Sequence, residues 1–205
     1  MMSGSVARAA SEIATAEGLL AAGDIGPCEL VRGELVMMSP AELEHGVIAQ
    51  RIAPFLHAYV SARRLGVVTA AETGFVLSRS PDTVRAPDVA FVSASRLPRG
   101  SATGFFEGAP DLAIEVLSPS DTRDQAARSR AAAKIGDWLA AGCQEVWCVD
   151  PASRTVTVHT ASGVATGAGA ADSFASQAVQ GLAVRLADLL APPDQEQKPR
   201  RSPIV

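Results

Sequence analysis

Three residue types at three places in this 205-residue chain are suited to hydrolytic chemistry. The run Ala109-Pro110-Asp111-Leu112-Ala113-Ile114-Glu115-Val116-Leu117-Ser118 reads as a strand. Side chains alternate along a strand, so Leu112, Ile114 and Val116 share one face while Asp111, Ala113, Glu115 and Leu117 share the other. Burying an ionised carboxylate in such an apolar run costs several kcal/mol unless a cation or a metal compensates it. Glu115 therefore pairs either with a Lys or Arg from a neighbouring helix or with a bound ion.

A second acid weights the choice. Arg85-Ala86-Pro87-Asp88-Val89-Ala90-Phe91-Val92 puts Asp88 at the mouth of another strand-like run. Alone, it also fits a turn-capping aspartate after Pro87. Two carboxylates on adjacent strands make a hard-oxygen site, the kind that suits Mg²⁺, with Mn²⁺ as a substitute. Lys134, in the helix after the Glu115 strand, would add a cation, although a helical lysine also serves as a solvated charge whose stem covers apolar neighbours.

The elements that must position these residues follow from periodicity. Residues 15–22 read as a short helix with Thr15 as N-cap, and residues 29–38 as a hairpin about Arg32-Gly33. Apolar residues at three- and four-residue steps predict a long helix over 42–64. Strands are expected at 67–71, 73–77, 88–92 and 111–117, the last covered on both faces. A well-marked helix over 124–141 stops at Gly142, and strands at 145–149 and 155–160 form a second hairpin. Residues 163–171 read as a small-residue loop, and 181–190 as a strand running into a short helix. The fold class is thus α/β in the broad sense, an α+β mixed sheet flanked by helices. One domain over 15–190 is expected, between tails at 1–14 and 191–205.

Together these segments resemble a known family. The matching residues are Glu34-Leu35-Val36, Ser39-Pro40, His45, Pro87-Asp88-Val89, Phe91-Val92, Gly108-Ala109-Pro110-Asp111-Leu112, Ile114-Glu115-Val116-Leu117-Ser118-Pro119-Ser120, Lys134, Trp138, Gly142, Glu145-Val146-Trp147, Val149-Asp150-Pro151 and the closing Gly181-Leu182-Ala183-Val184-Arg185-Leu186. In this order they are similar to the Uma-type restriction endonuclease family of the PD-(D/E)xK nuclease superfamily. The resemblance implies a metal-dependent endonuclease that hydrolyses DNA phosphodiesters, with Asp88 and Glu115 as Mg²⁺ ligands and Lys134 as the catalytic lysine. The superfamily's lysine normally follows its second acid by two residues, where this chain has Leu117, so Lys134 stands for a lysine moved to the next helix. Trp138 and Cys143 stand where the family usually has Tyr and Val, and both read as apolar exchanges outside the chemistry.

Glu44, His45 and Asp111 are accessory candidates. Glu44 and His45 begin the long helix, where an acid often completes the metal site of related nucleases, but a first-turn acid favoured by the helix dipole explains Glu44 equally well. Asp111 either orients the site from behind its ligands or caps the start of the strand.

Composition bounds the rest. The formal net charge of -4 gives no general attraction to a polyanion, so a DNA-cleaving chain would need a local basic rim, for which Arg123, Arg128, Arg130 and Lys134 are the candidates. Two Trp, one Tyr and six Phe are too few for a base-stacking platform. Three cysteines without metal-ligand spacing suggest a reducing cytoplasm. Neither a leader nor a membrane span is expected. A homodimer is an open option, and the rival reading is a catalytically silent nuclease fold serving as a binding or regulatory protein.

Overall fold

Strand alternation and helix capping account for most of what forms. The structure is a computed structural model and describes residues 13–100, 103–167 and 172–190. It opens with α1 (Ala16–Ala21), whose N-cap Thr15 accepts the Gly18 amide at 3.1 Å. The hairpin of β1 (Cys28–Val31) and β2 (Glu34–Met37) follows, its turn residues Arg32 and Gly33 at φ 50° and 80°, the left-handed values that suit a two-residue hairpin loop. α2 (Leu43–Arg63) buries Ile48, Ile52, Leu56 and Val60, one residue per turn, so a single stripe faces inward.

Four strands come next: β3 (Gly66–Ala70), β4 (Phe75–Ser78), β5 (Thr83–Arg85) and β6 (Val89–Ser93). A 3₁₀ turn at Ala94–Arg96 leads to β7 (Phe106–Glu107) and β8 (Leu112–Val116). α3 (Pro119–Thr122) is one turn closed by a capping box from Ser118 and Asp121. α4 (Gln125–Ala140) starts on Asp124, which accepts the Ala127 amide at 2.7 Å. It ends before Gly142, whose φ of 93° no side chain with a Cβ adopts easily. β9 (Glu145–Asp150), β10 (Thr155–Thr160), β11 (Gly163–Gly167), β12 (Ser173–Ala175), β13 (Ala183–Arg185) and α5 (Leu186–Leu190) complete the described chain.

The strands form a six-stranded sheet in the order β11-β10-β9-β8-β6-β3, a five-stranded sheet β2-β1-β5-β4-β7, and the pair β12-β13. Only β8 and β9 run parallel within the six-stranded sheet, joined by the α4 crossover, so the mixed sheet with flanking helices expected from the element order is observed. Leu112, Ile114 and Val116 of β8 join Trp147, Val149 and the α2 stripe in one core. Ala113 faces the other way, into a core with Phe75, Val146, Cys148 and Trp138 of α4. A third cluster packs Ile13, Ala16 and Leu19 on Leu30, Val76 and Val84 of the five-stranded sheet.

Five helices and strands depart from the sequence reading, the one-turn α3 among them, since no helix is expected between 117 and 124. Residues 163–167 are not loop but β11, paired with β10 from Val156↔Gly167 to Thr160↔Gly163. An edge strand is held by its neighbour's backbone, so small residues suffice and Val164 stays 64 % exposed. Residues 168–171 of that expected loop lie outside the described residues. β5, β7 and β12 have three, two and three residues, too short for a period to show. Of the tails expected at 1–14 and 191–205, only Ile13 and Ala14 fall among the described residues. No described helix is long and apolar enough to cross a membrane.

Leu56 is fully buried in the α2 stripe, whereas Leu43 at the start of α2 is 86 % exposed. Leu56→Ala is expected to lower the unfolding free energy by about 2–5 kcal/mol, and Leu43→Ala to change it by no more than about 0.5 kcal/mol, as read from urea-denaturation midpoints.

Candidate active site

Every residue of β8 is buried, Glu115 included at 9 % exposure. β6 runs antiparallel beside it with Val89 opposite Ile114, and one step further places Asp88 level with Glu115. Each carboxylate is fixed by two donors. Glu115 Oε2 lies 2.8 Å from Lys134 Nζ, and its Oε1 accepts the Trp138 indole N–H at 2.9 Å. Lys134 and Trp138 are four residues apart on α4, hence on one face. Asp88 Oδ2 accepts the Val116 amide at 2.7 Å, and its Oδ1 lies 2.9 Å from His45 Nε2.

A second layer comes from the five-stranded sheet. Glu29 of β1, 4 % exposed, accepts Lys134 Nζ on Oε1 at 3.1 Å and Arg85 Nη1 on Oε2 at 2.7 Å. Its Oε1 also accepts the Ala86 amide at 3.1 Å. Arg85 closes onto Asp137 of α4, donating to Oδ2 from Nη2 at 2.5 Å and from Nε at 3.2 Å. The Ala86 carbonyl lies 3.3 Å from Lys134 Nζ.

The electrostatics follow from this crowding. Burial pushes the Glu115 carboxyl up to about 7; Lys134 opposes the shift, and the charges of Asp88 and Glu29 add to it. Burial works against the Lys134 ammonium, but Glu115 and Glu29 outweigh it and hold the lysine firmly protonated. Burial likewise works against Glu29, yet Lys134 and Arg85 keep its pKa below the ordinary value. The hydrogen bond to Asp88 raises the His45 pKa against its burial.

Asp88, Glu115, Lys134 and His45 are thus brought together, and two accessory candidates are not. Asp111 sits at the other end of β8, four residues or roughly 13 Å from Glu115. There its Oδ2 accepts the Ser93 amide at 2.7 Å and faces Arg96 Nη1 at 3.3 Å, while Oδ1 accepts Gln144 Nε2 at 2.8 Å. This is a structural clasp between strand ends. Glu44 is exposed in the first turn of α2, and its carboxylate forms no hydrogen bond or ion pair among the described residues.

Trp138 is the reverse case: expected as an apolar exchange outside the chemistry, it supplies one of the two donors on Glu115. Its position one turn beyond Lys134 was the available signal. Lys134 also leaves the expected basic rim, since its side chain is only 18 % exposed and points into the cluster. Of the remaining rim candidates, Arg123 pairs with Asp124 at 3.2 Å and Arg128 donates to the Thr122 carbonyl at 2.6 Å. Glu29 and Arg85 had no local signal, because their partners are distant in the chain.

Among the described residues no group of three or more His, Cys, Asp or Glu is arranged as a ready cation cage. The Asp88 and Glu115 pair still fits a hard cation. Each of its four oxygens accepts one hydrogen bond, which leaves a lone pair on each, and Mg²⁺ takes one or two carboxylates, filling its shell with water and substrate phosphate. The raised Glu115 pKa comes first from burial and then from the nearby charges of Asp88 and Glu29, and Lys134 does not fully offset the two.

The family described as "Uma2: Putative restriction endonuclease" matches residues 19–186. The chain belongs to this family. Membership in the Uma2 family supports a nuclease function. Among solved structures the chain is similar to one described as a putative nuclease belonging to DUF820 from Anabaena variabilis ATCC 29413. The two share 22 % identity with a TM-score of 0.73, over 86 % of this chain and 97 % of that one. That likeness shows that the two chains share a fold. No curated protein matches the chain.

In this Uma2-family site the native state holds a proton on Glu115 between its ordinary pKa of 4.5 and about 7, where the unfolded chain has released it. Stability of the metal-free protein therefore falls as pH rises through that window and levels off above it, by at most about 3 kcal/mol. The raised His45 pKa adds a loss of the same sign from its ordinary value of 6.5 upward. Thermal unfolding in EDTA from about pH 5 to 8 should show the decline, and Glu115→Gln should flatten most of it.

Proposed function

We propose that this chain is a divalent-metal-dependent endonuclease that hydrolyses phosphodiester bonds in DNA, with Mg²⁺ as its ion and Mn²⁺ as a substitute. The observation that carries this reading is the meeting of Asp88 and Glu115 on adjacent strands with a buried lysine ammonium 2.8 Å from Glu115. Asp88 and Glu115 would hold the ion, which when bound supplies Lewis-acid polarisation of the phosphate and a water of lowered pKa.

The protein's own groups supply the rest. Lys134 stays charged through the neutral range and offsets the negative charge that develops on the phosphoryl oxygens. The Val116 amide and His45 hold the two Asp88 oxygens, and Trp138 holds Glu115, so neither carboxylate has to reorganise during the reaction. Protons compete with the cation for Glu115 below about pH 7, so metal affinity and cleavage rise together through that pH. The exposed Arg123 and Arg130 lie on the same part of the chain as the site and would meet the backbone of a duplex. Three free thiols suit a reducing, cytoplasmic setting, and a homodimer would let two such sites cut both strands. The silent-module reading draws on the full hydrogen bonding of both acids without any ion.

Cleavage of supercoiled plasmid in Mg²⁺, Mn²⁺ or EDTA separates these readings. Metal-dependent nicking is expected, abolished in Asp88→Ala and Glu115→Ala and slowed about 100- to 1,000-fold in Lys134→Ala, with all three variants folded by circular dichroism. Full activity in Asp88→Ala overturns the assignment. Absence of both cleavage and calorimetric Mn²⁺ binding in the unmutated protein establishes the silent module instead.

A further inference from the structure

Lys134 has three N–H donors and meets three acceptors: Glu115 Oε2 at 2.8 Å, Glu29 Oε1 at 3.1 Å and the Ala86 carbonyl at 3.3 Å. Only Glu115 belongs to the metal-binding pair. A cation that engages Glu115 weakens that carboxylate's hold on the lysine, and a lysine on its flexible four-carbon stem then needs another anchor to stay where it acts. Glu29 has the properties of one. It is buried, it lies on the five-stranded sheet rather than the sheet that carries Asp88 and Glu115, and both of its oxygens have fixed partners.

Those partners close a ring. Glu29 binds Arg85, Arg85 binds Asp137, and Asp137 sits three residues after Lys134 on α4, one turn along the same helix. Ala86 contributes to the ring twice, its amide donating to Glu29 and its carbonyl accepting from Lys134, two residues before Asp88. The ring therefore fixes the lysine relative to the strand mouth that holds Asp88, without passing through Glu115.

We infer that Glu29 is a positioning residue that holds the Lys134 ammonium in the site independently of Glu115. For its catalytic consequence the inference rests on the nuclease reading of Asp88, Glu115 and Lys134. A purely structural role for Glu29, as the partner of Arg85, would lower stability and leave the lysine and the turnover of folded protein unchanged.

Two measurements on Glu29→Gln test it. In the metal-free protein, acetylation of Lys134 by acetic anhydride, read by peptide mass spectrometry, should quicken about 10-fold or more on loss of this charged hydrogen bond. In plasmid cleavage, kcat should fall about 10- to 100-fold with KM unchanged, and Glu29→Gln combined with Lys134→Ala should be no slower than Lys134→Ala alone. Glu29→Asp keeps the charge that Arg85 needs but withdraws it from the lysine, so it should label at an intermediate rate, and it serves if Glu29→Gln does not fold.

Labelling of Lys134 at the unmutated rate in a folded Glu29 variant overturns the inference, whatever the protein cleaves. So does a kcat loss that adds fully to that of Lys134→Ala. Faster labelling in a protein that never cleaves DNA upholds the hold on Lys134 and sinks the nuclease reading alone.

Discussion

A carboxylate in the middle of a fully buried strand is the constraint on which this structure turns. Glu115 has Ile114 and Val116 as neighbours and is only 9 % exposed, so its charge has to be answered largely from within. The helix of the β8-α4-β9 crossover does this. A helix joining two parallel neighbouring strands packs across them, and the four-residue spacing of Lys134 and Trp138 brings an ammonium and an indole N–H to the two oxygens of that one side chain. The same helix buries the Trp138 ring against Phe75, so core packing and charge compensation are one contact set.

The compensation is incomplete, and that informs the function. Among the described residues Glu29, Asp88, Glu115 and Asp137 meet the buried Lys134 and Arg85 as permanent cations, with the exposed Arg32 3.7 Å from Asp137 and His45 as a titrating partner of Asp88. A buried ionic network of this kind is poor value for stability, since well-packed apolar side chains of similar volume generally do as well or better. A fold under no demand but stability has no reason to gather four acids here. The Asp111 clasp makes the contrast: there one acid meets one arginine, one side-chain amide and one backbone donor.

How much of this was legible in the sequence depended on range. Alternation in 112–116 correctly assigned the two faces of β8, and Asp124 and Gly142 bracketed α4 because capping is local. Asp88, Glu115 and Lys134 were reachable as a set through their order along the chain. Glu29 was not, because a glutamate in a short hairpin looks solvent-facing until the partner sheet covers it. Asp111 and Glu115 share a strand face, and alternation alone cannot tell that one ends in an arginine clasp and the other under α4. β11 escaped because backbone pairing to β10, not side-chain pattern, makes it a strand.

The excess of negative charge also ties the site to folding. A cation that binds the native arrangement and not the unfolded chain stabilises the protein in proportion to the logarithm of its concentration, and here it would offset both the burial of Glu115 and the lesser repulsion from Asp88 and Glu29 that together raise the Glu115 pKa. Protons and the cation are then alternative answers to one electrostatic deficit. At low pH the proton on Glu115 serves stability and would block a ligand position; at higher pH the deficit opens and a cation would fill it. Because Glu29 keeps Arg85 and Lys134 as its own cations, the lysine-bearing ring would stay charged and in place if the Asp88 and Glu115 half of the site exchanged a proton for a cation. Division of the acids between two sheets is what makes that possible.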